Sequence, residues 1–172
     1  MKKAKLYLFI GYPGAGKTTV SKILADKTKA RHIWADVERH KLFPEPTHSK
    51  QESDELYEKL NAAADHLLSQ NKSVIYDTNF NYYSDRAKVK KIADKYNLET
   101  IVIWITTPKK TAYSRSVLAH KSRNLYHINM DKRQFELIAS KLEKPQTNEK
   151  VIEIDGTKVK KAEVLKILDK YI

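Results

Sequence analysis

The chain has 172 residues, which suffices for one domain with a hydrophobic core and is short for two. Lys and Arg outnumber Asp and Glu by 33 to 21, and the resulting formal charge of +12 favours anionic partners. Because there is no Cys, disulfides and thiolate metal sites are excluded.

The first predicted element is a buried strand, and it leads into a glycine-rich loop. The apolar run 6–10 predicts the strand, and Gly11 to Thr18 then fit the pattern G-x-x-x-x-G-K-[ST]. Such a loop turns successive N–H groups toward a phosphate at the start of the next helix. The residues predicted to bind the nucleotide are Gly11, Pro13, Gly14, Ala15, Gly16, Lys17, Thr18 and Thr19. Lys17 is expected to contact the β- and γ-phosphates, and the Thr18 hydroxyl to ligate Mg²⁺.

Helical and strand patterns alternate along the rest of the chain. Further strands are predicted at 32–35, 73–76, 100–105 and 151–154. Helices are predicted from about 17 to 28, 36 to 43, 49 to 70, 89 to 96, 108 to 122, 131 to 142 and from about 160. Ser49 and Glu52 predict a capping box, and 123–130 shows no clear period.

This alternation predicts one α/β domain over residues 1–172, with a five-stranded, mostly parallel sheet between two helical layers. Together with the glycine-rich loop, this arrangement resembles the three-layer P-loop NTPase fold, of a kind similar to nucleoside kinases, and we expect that fold here. No apolar run approaches the ~20 residues that a membrane span requires, so we expect a cytoplasmic protein without membrane contact.

Asp36 and Arg39 follow the second predicted strand and lie one helical turn apart. A carboxylate there could accept the proton of an attacking hydroxyl, and a guanidinium could bind an anionic part of the acceptor. The alternative is that Asp36 caps a short helix and Arg39 is a surface residue.

Asp77 ends the third predicted strand, where a carboxylate that supports Mg²⁺ is expected, with Asn79 as a polar neighbour on the substrate side. The alternative is an ordinary turn. Arg115 and Arg123 are eight residues apart and could close over the transferring phosphoryl group as a lid.

A triphosphate-binding loop serves GTPases, motor ATPases and kinases alike. The chain has no guanine-reading Asn-Lys-x-Asp segment, and its size and basic region after the fourth strand favour a kinase.

Three segments in order resemble the kinase domain of polynucleotide 5′-hydroxyl kinases. They are the glycine-rich loop, Asp36-Val-Glu-Arg39 and Asp77-Thr-Asn-Phe-Asn followed by a basic helix. The likeness extends with weaker motifs to other small P-loop kinases, AAA-type, zeta-toxin-like and metabolite kinases among them. It implies that Asp36 activates the acceptor hydroxyl and that Arg39 grips the acceptor's phosphate. The lid arginines of that family lie closer together than Arg115 and Arg123.

Three other patterns carry less weight. The segment 153–157 is similar to a haloacid-dehalogenase motif, but it has Glu at the nucleophile position and is better explained as a turn at a strand end. The six His show no zinc-ligand spacing. Phe80, Tyr82 and Tyr83 could stack on an acceptor base or simply pack in the core.

The sequence thus predicts a kinase that uses ATP and Mg²⁺ to phosphorylate a hydroxyl, on a polynucleotide 5′ end or a nucleotide-like acceptor. The catalytic residues would be Lys17, Asp36, Arg115 and Arg123, with Arg39, Asp77 and Asn79 contacting substrate. Two alternatives stay open: a kinase of a small metabolite such as a nucleoside, amino sugar or antibiotic, and an ATPase module that acts through a protein partner. The acceptor, the choice of ATP over GTP and the oligomeric state are not readable from the residues.

Overall fold

The computed structural model describes residues 3–119 and 130–172, and they form a five-stranded sheet flanked by helices. The strands are β1 (Lys5–Ile10), β2 (Arg31–Trp34), β3 (Val74–Asp77), β4 (Glu99–Ile105) and β5 (Lys150–Ile154). The helices are α1 (Lys17–Thr28), α2 (Ala35–Leu42), α3 (Lys50–Ser69), α4 (Tyr83–Asp94), α5 (Lys109–Tyr113), α6 (Lys132–Ala139) and α7 (Lys161–Leu168). A π-helical turn, Ser114–Leu118, follows α5 directly.

The strand order is β2-β3-β1-β4-β5, and every pair of neighbours is parallel. Leu6 pairs with Val74 on one side and with Thr100 on the other, so β1 lies at the centre. Parallel strands bring their carboxyl ends to one edge of the sheet. The segments that follow β1, β2 and β3 therefore meet there, as the sequence predicted.

Alternating side chains of β1 build the core on both faces of the sheet. Leu6, Leu8 and Ile10 pack in one cluster, to which α3 and α4 contribute buried residues such as Leu60 and Val89. The other cluster contains Tyr7 and Phe9 together with buried residues of α1 and α7. These two clusters confirm the predicted three-layer α/β fold.

A third, smaller cluster places α5 and α6 beside the glycine-rich loop. It is centred on Ala112, Phe135 and Ala139. The Phe135 ring meets Tyr113 edge-on with centroids 5.2 Å apart, and Tyr12 of the loop lies 6.4 Å from it. The segment after β4 therefore packs against the loop.

The helix ends differ in part from the sequence predictions. Ser49 caps α3, because its hydroxyl oxygen accepts a hydrogen bond from the Glu52 N–H at 3.2 Å. The Glu52 carboxylate accepts from the Thr47 N–H and not from the Ser49 N–H, so only one of the two hydrogen bonds of the predicted capping box forms. A complete capping box forms instead between Asp131 and Gln134 at the start of α6. Helical structure after Pro108 ends at Leu118, because Ala119 is extended, and the predicted helix to 122 runs past that point.

No helix within residues 3–119 and 130–172 has the length and apolar character that a membrane span would require.

Candidate nucleotide and acceptor site

The glycine-rich loop, residues 11–16, connects β1 to α1 and leaves the first N–H groups of α1 open. Gly16 is the N-cap of α1, and no described side chain caps it, so the helix start is available to an anion. Gly14 has φ +76°, and a Cβ on it would lie 2.5 Å from the Ala112 carbonyl oxygen. Only glycine fits there, which explains the residue type at this position of the motif.

Lys17 lies under the loop and is held by the loop's own backbone. Its Nζ donates to the carbonyl oxygens of Gly11 at 2.8 Å and Tyr12 at 3.1 Å. Burial lowers the pKa of Lys17 to about 8, although the carboxylates of Asp77 and Asp36 act in the opposite direction. The Lys17 ammonium is therefore bound to the carbonyl oxygens of the loop and interacts electrostatically with the carboxylates of Asp36 and Asp77.

Residues just after β4 and β5 also contact the glycine-rich loop. The Thr107 hydroxyl, 4% exposed, donates to the Ala15 carbonyl oxygen at 2.8 Å. Gly156 sits so close that a Cβ there would lie 2.0 Å from Thr107 Oγ1 and 2.3 Å from Ala15 O. These contacts fix the loop's shape from the side of the sheet where β5 ends.

Asn81 supports the first glycine of the loop. Its Oδ1 accepts the Gly11 N–H at 3.3 Å, and the side chain is 2% exposed. Arg86 in turn fixes this segment, since it donates to the carbonyl oxygens of Phe80 and Asn81 and is paired with Glu149. Asn81 Nδ2 is buried and has no hydrogen-bond partner among the residues that the structure describes.

Asp77 lies at the tip of β3 beside the start of α1. Its Oδ2 accepts a hydrogen bond from Ser21 Oγ at 2.6 Å and lies 3.0 Å from His32 Nε2. Ser21 Oγ is also 3.1 Å from the Thr18 carbonyl oxygen, so it joins Asp77 to the turn that carries Thr18. Asp77 is only 4% exposed, and its predicted support of Mg²⁺ stays a prediction.

Asp36 lies in the first turn of α2, at the same edge of the sheet. Its side chain is reached by solvent, but the surrounding protein displaces enough water to raise the pKa of the carboxyl above its ordinary value. Asp77 raises this pKa further, while Lys17, Arg39 and His48 lower it. The structure therefore brings Asp36, Asp77 and Lys17 into one electrostatic group.

Arg39 is buried, with an exposed fraction of 7%, and its guanidinium contacts α3. Nη1 is paired with the Glu52 carboxylate, and Nη2 lies 3.3 Å from Ser53 Oγ. The alternative of a surface residue is therefore wrong. The predicted contact of Arg39 with an acceptor stays a prediction.

The remaining predicted residues occupy different surroundings. Asn79 is exposed after β3. Arg115, in the π-helical turn, donates to the carbonyl oxygens of Gly156 and Thr157, both at 2.6 Å. Arg123 lies outside the described residues. Phe80 is a core residue, because its ring packs edge-on against Tyr76 with centroids 5.0 Å apart.

Sequence reasoning missed several residues that shape the site: Ser21, His32, Glu52, Asn81, Thr107 and Gly156. Asn81 and Gly156 lie in segments that stood out in the sequence, but Asn81 contacts Gly11, 70 residues away, and Gly156 approaches Thr107 and Ala15, which belong to other segments of the fold. Ser21 lies one helical turn after Thr18, which is the signal that could have placed it beside the loop.

Solved structures of the same fold include the following three. A provisionally assigned kinase from Chloroflexus aurantiacus has a TM-score of 0.77 and 18% identity, and the alignment covers 99% of this chain and 100% of that one. Kti12 from Chaetomium thermophilum, solved with ADP-AlF3, has a TM-score of 0.75 and 18% identity, with 96% of each chain covered. The Mycobacterium tuberculosis APS kinase CysC, solved with AMPPNP and APS, has a TM-score of 0.67 and 16% identity, with 98% of each chain covered.

A comparison with curated proteins gave no match. A family described as "AAA domain", AAA_33, matches residues 6–145, which include the glycine-rich loop, Asp36, Asp77 and Arg115. Together with the loop geometry and the all-parallel sheet, this match shows that the chain belongs to the AAA_33 family of P-loop NTPase-like domains.

Proposed function

We propose that this protein is an ATP-dependent kinase that transfers the γ-phosphoryl group to a hydroxyl. The observation that carries the proposal is the placement of Asp36 in the same electrostatic group as Lys17 and Asp77, at the loop that would hold the phosphates. A module that only binds nucleotide would not require a second carboxylate there, and the transfer experiment below separates a kinase from an ATPase, which could use the carboxylate to orient water. The kinases among the structures of similar fold, including one with a nucleotide and its acceptor bound, support the same reaction class.

In the proposed reaction, the acceptor oxygen attacks the γ-phosphorus while the bond from this phosphorus to the β–γ bridging oxygen breaks. Asp36 takes the hydroxyl proton, and ADP leaves. The raised pKa of Asp36 suits this role, because a more basic carboxylate accepts a proton more readily. Lys17 would balance the charge of the β- and γ-phosphates, and Arg115 would act as the lid arginine.

The described residues fit a Mg²⁺ ion that is held jointly with the nucleotide. Thr18 offers a hydroxyl at the start of α1, and Asp77 keeps Oδ1 free of the hydrogen bonds that engage its Oδ2. Residues 3–119 and 130–172 contain no group of three acidic or His side chains that could bind a metal alone. This agrees with Mg²⁺, which is usually bound by one or two protein oxygens, phosphate oxygens and water. When bound, the ion would neutralise charge on the transferring phosphoryl group.

The charge of the segment beside Asp36 helps to distinguish a polynucleotide acceptor from a small metabolite. Residues 35–69, which form α2, α3 and the loop between them beside Asp36, contain eight Asp and Glu against four Lys and Arg. This segment has a net charge of −4 in a chain of +12. A polyanion would be repelled there, so the second candidate, a kinase of a small neutral or cationic metabolite, is favoured over a polynucleotide 5′-hydroxyl kinase.

The experiment is phosphoryl transfer from γ-labelled ATP to a panel of acceptors: a 5′-hydroxyl oligonucleotide, nucleosides, sugars and amino sugars. We expect label on a small hydroxyl compound, with Asp36→Asn slowing transfer by at least about 10²-fold while nucleotide binding persists. Glu38→Gln is the matched control, because it removes a carboxylate from the same helix that is paired with Lys41 instead. Bound ATP with no transfer to any acceptor would contradict the kinase assignment.

A further inference from the structure

Two donors from different elements bind one oxygen of the Asp77 carboxylate. Oδ2 accepts a hydrogen bond from Ser21 Oγ of α1 at 2.6 Å, and it lies 3.0 Å from Nε2 of His32 on β2. Both oxygens of an ionised carboxylate are acceptors, so His32 donates through Nε2. Oδ1 of Asp77 accepts no hydrogen bond from residues 3–119 and 130–172. The two oxygens of this carboxylate therefore have different surroundings.

The Ser21 hydroxyl joins Asp77 to the nucleotide loop, but its single proton has two acceptors within reach. Besides Asp77 Oδ2, the Thr18 carbonyl oxygen lies 3.1 Å from Ser21 Oγ. Thr18 lies in the first turn of α1, so this contact places Asp77 beside the turn that would hold the phosphates. A hydroxyl donates to only one acceptor at a time. Within the described part of the chain, the Nε2 proton of His32 has Asp77 as its acceptor and no competing one.

The neighbours of His32 hold its ring in place. His32 and Trp34 are two residues apart and share one face of β2, where their rings stack with planes 1° apart and centroids 5.8 Å apart. Nζ of Lys22 on α1 lies 5.0 Å from the centroid of the Trp34 ring. The side chains of His32 and Asp77 are 19% and 5% exposed. The donor to Asp77 therefore belongs to a stacked and largely buried ring.

These three side chains do not form a nucleophilic triad. In a Ser-His-Asp triad the imidazole lies between the hydroxyl and the carboxylate and takes the hydroxyl proton. Here Asp77 lies between Ser21 and His32, and Ser21 has no exposed surface. Nor do the described residues include a group of three acidic or His side chains that could hold a metal ion by themselves. The geometry instead fits a device that orients one carboxylate.

We propose that His32 is a positioning residue for the Mg²⁺–nucleotide complex: with Ser21 it holds Oδ2 of Asp77, and Oδ1 is then the oxygen that serves the ion. The inference rests on the proposed function only as far as nucleotide and Mg²⁺ binding. Hydrogen-bond partners fix the orientation of a carboxylate that serves a metal, and losing them typically lowers metal affinity by about 10–100-fold. In this role His32 contacts neither the nucleotide nor the acceptor and acts through Asp77.

Two variants of His32 separate the donated hydrogen bond from the packing of the ring. His32→Phe keeps a ring that can stack on Trp34 but has no N–H, whereas His32→Gln loses the ring and keeps an N–H donor. A role in packing predicts damage in His32→Gln, and a role in positioning predicts damage in His32→Phe. His66→Phe is the matched control, because His66 is exposed on α3 and contacts Gln70 instead.

The probe is a non-hydrolysable fluorescent ATP analogue, whose affinity is measured at a series of free Mg²⁺ concentrations without acceptor. In His32→Phe, we expect the Mg²⁺ concentration at half of the affinity gain to rise about tenfold, while the affinity in EDTA stays at the wild-type value. His32→Gln and His66→Phe should keep the wild-type Mg²⁺ midpoint.

Several results of this titration would overturn the proposal. They are an unchanged midpoint in His32→Phe, an equal rise in His32→Phe and His32→Gln, and a wild type whose affinity does not respond to Mg²⁺. A loss of affinity in EDTA as large as that in Mg²⁺ would overturn it too, because the damage would then concern the loop as a whole.

The acceptor panel keeps this inference apart from the kinase assignment. If the Mg²⁺ midpoint rises in His32→Phe but no panel compound is phosphorylated, the kinase assignment fails and the role of His32 stands. If a compound is phosphorylated, we expect its KM at saturating Mg²⁺ to be the same in His32→Phe as in wild type. A raised acceptor KM with a wild-type Mg²⁺ midpoint would place His32 at the acceptor and refute the positioning role.

Discussion

Replacing Gly156 with Ala should destabilise the nucleotide loop from the side of β5. A Cβ at this position would lie 2.0 Å from Thr107 Oγ1, 2.3 Å from Ala15 O and 2.6 Å from Ile105 Cγ2. Two of these atoms form the Thr107–Ala15 hydrogen bond of 2.8 Å that fixes the loop. Because one of these atoms is a backbone carbonyl oxygen, the added methyl group can be accommodated only if the backbone moves. A clash with the end of a flexible side chain could be relieved by rotation of that side chain.

The cost can be worked from these contacts. Overpacking a close-packed site typically costs about 1–3 kcal/mol, and losing a buried hydrogen bond adds about 1 kcal/mol. We expect Gly156→Ala to lower the free energy of unfolding by about 3 kcal/mol, which for a chain of this size is roughly 6–12 °C in melting temperature. Because the loop itself is displaced, affinity for ATP should fall as well.

The assay combines thermal denaturation with titration of a fluorescent ATP analogue. Thr107→Ser is the control, because it keeps the hydroxyl and its bond to Ala15. Thr107→Ala combined with Gly156→Ala should recover only part of the loss, since the contact with Ala15 O remains. A Gly156→Ala protein with wild-type melting temperature and nucleotide affinity would refute this account of the loop.

Three further predictions concern buried charges. Since the pKa of Lys17 is lowered to about 8, nucleotide affinity should fall as pH rises through 8, and this dependence should be absent from Lys17→Met in the same binding titration. Burial would raise the pKa of Glu52, but Arg39 and Thr47 lower it to about 2 from an ordinary value of 4.5. The stability advantage of wild type over Glu52→Gln should thus be complete above pH 4.5 and disappear as pH falls toward 2, as measured by denaturant unfolding. Arg86→Met leaves Glu149 unpaired and should cost about 3–5 kcal/mol, which thermal denaturation would detect; an unchanged melting temperature would contradict the buried pair.

The fold was largely predictable because its signals are local. Mostly apolar runs of four to six residues alternate with helical periods, and this pattern alone implies a parallel sheet between helices. The glycine-rich loop was predictable for the same reason, since its chemistry is contained in eight consecutive residues. The parallel topology also implied that Asp36 and Asp77 lie at the edge of the sheet that carries the loop, because Asp77 ends β3 and Asp36 lies just after β2.

The partners of these residues were not predictable. That His32 and Ser21 engage Asp77, and that Thr107 and Gly156 hold the loop, depends on contacts between segments that only the folded sheet brings together. The half-formed capping box is a further example. Ser49 and Glu52 have the expected spacing, but the Glu52 carboxylate turns to Arg39 and Thr47 instead.

The sequence by itself determined the layered fold and the loop for a nucleotide's phosphates, because periodicity and a contiguous motif are properties of neighbouring residues. Only the tertiary structure decided that Arg39 is buried against Glu52 and that the Glu52 carboxylate also accepts hydrogen bonds from Thr47 and His48. The direction of an arginine side chain depends on which carboxylate the fold brings within reach. Spacing along one helix does not contain that information.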